Sequence, residues 1–432
     1  MLPAKAKSAD RTERRASARA QSYIEYRGVD PCMEAALYYG FTPLPAPLFV
    51  TKEDRDRARE LADEEWTRPF SIAPAIEERV ALFRHCGEKL LQEGSHPLMH
   101  CGEFARVVPR RRPEERREDA VMEDSVRRRG PARRERRIFL EIMGSQKSIA
   151  EATLIQTAVA ILRDEGHERL SLSLNSVGDR ESLGRFAREL GNYYRKHLAA
   201  LPQSCRTLVR KNPLNLLECS HEKCSALSEE APKSIGFLGD ESRRHFKEVL
   251  EFVEELEVPY QIDHRLFGSR AFGAETLFEM SAPNASGEPS PLVSGIRYNA
   301  LGKRLGLRRE APSVGANLLL SRPAKESRRA RRILFRKPLA FFLQLGYFAK
   351  LKSLRVIELL RQSGIPLYQA LTRDKLASQL SAAENLNTPY TIIIGQREAL
   401  ENAVIVRNAV TRAQETVKIA DLPQYAKKLK LG

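Results

Sequence analysis

Apolar positions recur along this chain in two alternating periods, and that alternation lays out its elements. Leu154, Ile155, Ala158, Ile161 and Leu162 form one stripe at helical spacing, ended near Gly166. Leu170, Leu172 and Leu174 then alternate with serines, which predicts a strand with one buried face. Helical spacing resumes at Leu183, Phe186, Leu190, Tyr193 and His197, where His197 reads as a flank of the core, and again at Phe246, Val249, Leu250, Val253 and Leu256. Short apolar runs at residues 258–262 and 276–280 predict two strands crossing the floor of a cleft, with a Gly-containing turn between them; Gly268 and Gly273 tolerate a bend or a close ligand.

The ends of the chain follow the same logic. Residues 35–39 read as the end of a helix, and residues 40–49 as an extended edge, because Pro43, Pro45 and Pro47 cannot donate to a ladder. Glu77 and Glu78 read as the acidic first turn of another helix. Beyond residue 338, Val356, Leu359 and Leu360 lie on a helix stopped by Ser363 and Gly364, and residues 390–394, 404–406 and 416–419 read as strands. Such alternation predicts a small α/β domain.

Composition adds a partner class. The 432 residues, 42% of them apolar, suit roughly two to three domains with proper cores. Lys and Arg number 72 against 56 Asp and Glu, for a net charge of +16. That surplus fits a polyanion, nucleic acid before membrane, although a merely basic soluble protein carries the same charge. No apolar run approaches the roughly 18–20 residues of a membrane span. Residues 1–28 read as a basic flexible arm without the apolar core of a secretory signal. The six cysteines then read as reduced thiols of a cytoplasmic protein. Cys205, Cys219, His221 and Cys224 raise a metal question, but C-x-H-x-x-C is not a standard knuckle spacing, so no metal is expected. Residues 107–137 are dense in arginine. Arg110, Arg111, Arg112, Arg116, Arg117, Arg127, Arg128, Arg129, Arg133 and Arg134 are candidates for contact with an RNA backbone, the alternative being a solvated loop.

Four stretches in order carry a resemblance: L-N-S-V-G-D-R-E-S (174–182), R-L-F-G-S-R-A-F-G-A-E-T-L-F-E (265–279), S-G-I-R-Y-N-A-L (294–301) and A-P-S-V-G-A-N-L-L-L-S-R (311–322). Together they resemble the histidyl-tRNA synthetase family of class II aminoacyl-tRNA synthetases. The implied fold is α+β: an antiparallel sheet with flanking helices at residues 29–325, a basic linker at 326–337, and an anticodon-binding-like α/β domain at 338–432. ATP with magnesium is the implied cofactor, and the match of Pro47 to the motif 1 proline implies a homodimer.

Site residues are carried over one at a time, and most are altered. Where the family has L-V-R-G-L-D-Y-Y-T-R-T-V-F-E, its arginine falls on Gly268, its aspartate on Ala271 and its paired tyrosines on Phe272 and Gly273. In L-R-P-E-G-T-A the arginine and glutamate fall on Ala73 and Ala75. Residues 137–145 resemble R-Q-F-H-Q-x-x-x-E-x-x-G, with Glu141 set against the histidine-reading glutamine. Ile296 replaces a glycine of G-G-R-Y-D-G-L, beside Arg297 and Tyr298, and should narrow the amino-acid pocket. Arg106 in M-H-C-G-E-F-A-R and Arg322 in motif 3 match the two phosphate-clamping arginines.

These losses predict a paralogue that binds tRNA or another RNA with a degenerate histidine site. The alternative is an active, divergent histidine–tRNA ligase in which Arg265, Arg270 or Arg297 substitutes for the missing arginine. A protein-binding regulatory subunit is a further reading, disfavoured by the C-terminal domain.

Overall fold

The computed structural model describes residues 23–27, 30–44, 50–61, 76–92, 96–109, 129–217, 219, 221–267, 275–284, 286–308, 310–320 and 332–431. It divides into two compact units, one built from Met1–Pro43 and Ala324–Gly432, the other from Leu44–Pro323.

The first strand, β1 (Tyr23–Arg27), falls within the expected flexible arm, yet it pairs antiparallel with Arg332–Arg336, within the expected linker. Arm and linker are therefore not two loose segments where they are described. Both sequences are rich in apolar and aromatic residues, Y-I-E-Y-R and R-I-L-F-R, and Tyr26 meets Phe335 edge-on with centroids 6.4 Å apart, a cross-strand aromatic contact. The flanking arginines masked that pattern. The helix Glu34–Tyr38 and the short extended pair β2 (Thr42–Pro43) follow.

The larger unit holds β3 (His96–Pro109), β4 (Arg129–Met143), β5 (Ser171–Ser176), β6 (Tyr260–Ile262), β7 (Thr276–Pro283), β8 (Pro289–Arg297) and β9 (Ser313–Leu320). They lie side by side as β3-β4-β9-β8-β7-β5-β6. Every neighbouring pair in that row is antiparallel except β5–β6, which is parallel. Two expectations are corrected here. Residues 258–262 and 276–280 do become strands, but β5 stands between them, so they are not joined across a turn; the β5–β6 connection runs through helices, as a parallel pair requires. The arginine-rich stretch is also shorter as a loop than residues 107–137. Its two ends continue the β3–β4 ladder, with Arg106 opposite Arg133 and Pro109 opposite Arg129, because backbone hydrogen bonds do not depend on what the side chains carry.

Helices Ile149–Asp164 and Asp240–Glu255 pack together on one face of this sheet, and Arg180–Lys196, Gln203–Lys211 and Glu222–Glu230 build the core on the other. Asp179 caps Arg180–Lys196 by accepting from the Ser182 amide at 2.8 Å. The preceding Gly178 has φ +68°, and a Cβ there would meet Ser182 at 2.7 Å.

In the smaller unit β10 (Arg332–Arg336) leads into β11 (Ala340–Gln344), β12 (Leu367–Gln369), β13 (Tyr390–Ile394), β14 (Ala403–Asn408) and β15 (Gln414–Lys418). The five-stranded sheet runs β12-β11-β13-β14-β15, parallel around β11 and antiparallel beyond β13. The N-terminal segment is tied to it. The Tyr38 hydroxyl donates to the Ile365 carbonyl at 3.0 Å, the Tyr39 hydroxyl donates to Glu358, and the Gln369 amide donates to the Tyr39 carbonyl at 2.7 Å. Helix Tyr347–Gln362 covers the sheet with Leu354, Val356, Ile357 and Leu360 fully buried. Truncating Ile357 to Ala should cost about 2–5 kcal/mol by leaving a cavity under this helix; urea unfolding of the variant checks this, and a loss below about 1 kcal/mol would mean that the helix is not packed as described.

Candidate functional site

Paired residues in a sheet point to the same face, so register alone separates the two sides of the larger unit's sheet. Glu141 of β4 stands opposite Gly315 of β9, Gly315 opposite Ile296 of β8, and Ile296 opposite Leu277 of β7. One step along on the same face, Phe139, Asn317, Ser294, Glu279 and Ser173 lie in a row. Asn317, Ser294, Glu279 and Ser173 make a polar strip across the sheet, and the fully buried Ser294 hydroxyl has no hydrogen-bond partner among the described residues. A buried hydroxyl without a partner is costly unless something polar reaches it. This face is the candidate site.

Glu141 is its chemical centre. The carboxylate accepts a short hydrogen bond from the Tyr298 hydroxyl and lies 3.7 Å from Nε of Arg79, whose guanidinium sits 4.2 Å above the Tyr298 ring. Glu141, Arg79 and Tyr298 are 3%, 1% and 0% exposed. Burial raises the Glu141 carboxyl, opposed by Arg79 and the Tyr298 hydrogen bond; burial and the neighbouring Glu141 push the Tyr298 phenol well up. Gly315 is a steric requirement of this arrangement, since a Cβ there would fall 1.8 Å from a Glu141 carboxylate oxygen. Arg79 was not singled out in the sequence. Its signal there was a cation on the same helical stripe as Phe83 and Cys86.

Arg297 belongs to the opposite face, because it is the strand neighbour of Ile296. It is completely buried and makes two 2.5 Å bonds to the Glu151 carboxylate, with further donations to the carbonyls of Ser145 at 2.7 Å and Lys147 at 3.2 Å. His245 Nε2 lies 2.8 Å from the same carboxylate. A guanidinium so committed cannot stand in for a missing substrate arginine, which corrects its inclusion among the amino-acid contacts. Arg265 is exposed, 3.5 Å from Glu229.

Ile296 does sit on the candidate face, buried between Leu277 and Gly315. Arg106 lies in β3, and Arg129, Arg133 and Arg134 in β4. Ala73, Ala75, Gly268, Arg270, Ala271, Phe272, Gly273, Arg322, Arg110, Arg111, Arg112, Arg116, Arg117, Arg127 and Arg128 lie outside the described residues. β9 ends at Leu320, opposite Arg136. Cys205, Cys219 and Cys224 come together, whereas His221 instead accepts from the Lys223 amide at the start of its helix. In the smaller unit a cavity of about 620 Å³ is bordered by Lys352, Arg355, Lys418 and Asp421. Among the described residues no helix is long and apolar enough to cross a membrane.

Comparisons with known proteins agree with this layout. Residues 349–429 match the anticodon binding domain family. The chain is 28% identical over 295 residues to the histidine–tRNA ligase of Dehalococcoides mccartyi, covering 68% of this chain and 70% of that one, and 28% identical over 302 residues to that of Halothermothrix orenii, covering 69% and 72%. A crystal structure of S. aureus histidyl-tRNA synthetase aligns over 91% of this chain and 93% of its own, with 20% identity and a TM-score of 0.46. A largely antiparallel sheet with flanking helices, followed by an anticodon-binding domain, is the architecture of class II aminoacyl-tRNA synthetases. Within that class, the chain is similar to the histidine–tRNA ligases over about two thirds of its length.

Two outcomes follow. Gly315→Ala forces the Glu141 carboxylate aside and should cost about 1–3 kcal/mol, while Glu141→Ala/Gly315→Ala should cost no more than Glu141→Ala alone; additive losses in urea unfolding would refute the steric account. The second concerns pH. Burial alone would raise the Glu151 carboxyl, but Arg297 and then His245 outweigh it and hold it at about 2. A depressed folded pKa stabilises above the unfolded value of about 4.3 and loses that stabilisation as pH falls toward 2. The acid limb of the stability profile should therefore carry about 3 kcal/mol from Glu151 and flatten in Glu151→Gln, as measured by denaturant unfolding between those pH values.

Proposed function

We propose that this chain is an RNA-binding member of its family that has lost histidine activation, held as a homodimer, with tRNA or a tRNA-like RNA as its ligand. The observation that carries the proposal is the filled amino-acid end of the floor. Glu141 is engaged by Tyr298 and Arg79, and Ile296 is buried opposite Gly315, so an ammonium or imidazole would meet in Glu141 a carboxylate already held by two partners. The substitutions at Ala75, Gly268, Ala271, Phe272 and Gly273 point the same way: a site stripped of buried polar partners forfeits discrimination by orders of magnitude. ATP with magnesium is the cofactor this reading implies, with Arg106 and Arg322 as its sequence candidates for phosphate contact. The arginine-rich stretch at residues 107–137 and, separately, the cavity bordered by Lys352, Arg355 and Lys418 in the smaller unit are candidates for contact with a phosphate backbone.

The polar strip of Asn317, Ser294 and Glu279 favours a second reading, a divergent histidine–tRNA ligase, and one experiment separates the two. Purified full-length protein is assayed for histidine-dependent ATP–pyrophosphate exchange, with Arg322→Ala as control, alongside tRNA binding across a salt series. The expected result is no exchange from the folded protein, with RNA affinity falling steeply as salt rises. Exchange that vanishes in Arg322→Ala would overturn the proposal in favour of the ligase, and salt-insensitive or absent RNA binding would remove its RNA half.

A further inference from the structure

Three cysteines from three separate elements converge in the larger unit. Cys205 lies on Gln203–Lys211, Cys219 in the segment after the Pro213–Leu216 turn, and Cys224 on Glu222–Glu230. Their sulfurs all lie within 4.8 Å of one another, with Cys205 Sγ 3.8 Å from Cys219 Sγ. Cys205 and Cys224 are buried and Cys219 is half-buried, so solvent reaches one side of the triangle.

We propose that these thiols form a binding site for a thiophilic divalent ion, zinc by ligand class. Zinc–thiolate bonds of about 2.3 Å at tetrahedral angles place sulfurs about 3.8 Å apart. One edge of the triangle already has that length, and closing the widest takes a shift of about 1 Å. Three thiolates are a soft donor set that selects zinc over magnesium or calcium. The fourth position faces the open side at Cys219 and takes a water molecule. Binding releases three protons to solvent as the thiols become thiolates, and no electrons move. The ion would tie two helices and the intervening turn into one unit, a cross-link the thiols do not make by themselves. This assignment is independent of what the sheet floor binds. Sequence spacing pointed away from it, because C-x-H-x-x-C invites His221 as a ligand while the third sulfur comes from Cys205, 14 residues before Cys219.

The test uses the full chain, reduced and stripped with chelator, titrated with cobalt(II) and then zinc(II). One equivalent of cobalt should give thiolate-to-metal charge-transfer absorption in the near ultraviolet with the visible bands of a tetrahedral ion, and zinc should erase both. Cys219→Ser, at the half-buried position and checked for folding by circular dichroism, should weaken cobalt binding at least tenfold; Cys32→Ser, outside the cluster, should leave it unchanged. A folded, reduced chain without the charge-transfer band, a band that survives Cys219→Ser, or cobalt that zinc does not displace would each overturn the assignment.

Discussion

A single buried ion pair fixes the geometry on which the larger unit depends. Arg297 on β8 and Glu151 on Ile149–Asp164 are both fully buried and meet through two parallel hydrogen bonds. Two charges taken out of water recover their desolvation only if geometry is good and the remaining donors are satisfied. Here the Ser145 and Lys147 carbonyls take the other guanidinium protons, and His245 completes the carboxylate shell. The pair sets where the helix sits on the sheet and how β8 is rotated, because a one-residue slip would bring Ile296 to the helix and send Arg297 into the opposite core.

The two faces then divide the work. Behind the sheet, charge is spent on architecture. In front, Glu141 is held between Tyr298 and Arg79, and the row from Asn317 to Ser173 keeps a polar floor beside it. Glycine decides how close these groups approach: Gly315 admits the Glu141 carboxylate, and on the other face Gly295 admits the Phe278 ring, which a Cβ would meet at 2.1 Å.

Much of the fold was legible in the sequence because it is written locally. The stripe from Leu154 to Leu162 became Ile149–Asp164 with Gly166 beyond it at φ +95°, and the alternation at Leu170–Leu174 became β5. Non-local facts were not legible. That β5 lies between β6 and β7 is a matter of strand order, which no local period encodes. Arg79 reads as a solvated charge until tertiary packing buries it against Tyr298. The placement of Arg297 was available in principle, since neighbours on a strand face opposite sides, but the family pattern joined it to Ile296 and Tyr298 as one contact set. β1 and its partner were hidden by the arginines around them.

The β1 pairing has a temporal consequence. The smaller unit is assembled from both ends of the chain, with Tyr39 bonded to Gln369 across 330 residues. During synthesis the larger unit can emerge whole and fold while the N-terminal strand still waits, on the order of tens of seconds at ribosomal rates, for the segment that will cover it. Until the last strands arrive, residues 23–43 present unpaired backbone and exposed tyrosines to the cell, an interval in which a holding chaperone would find its substrate.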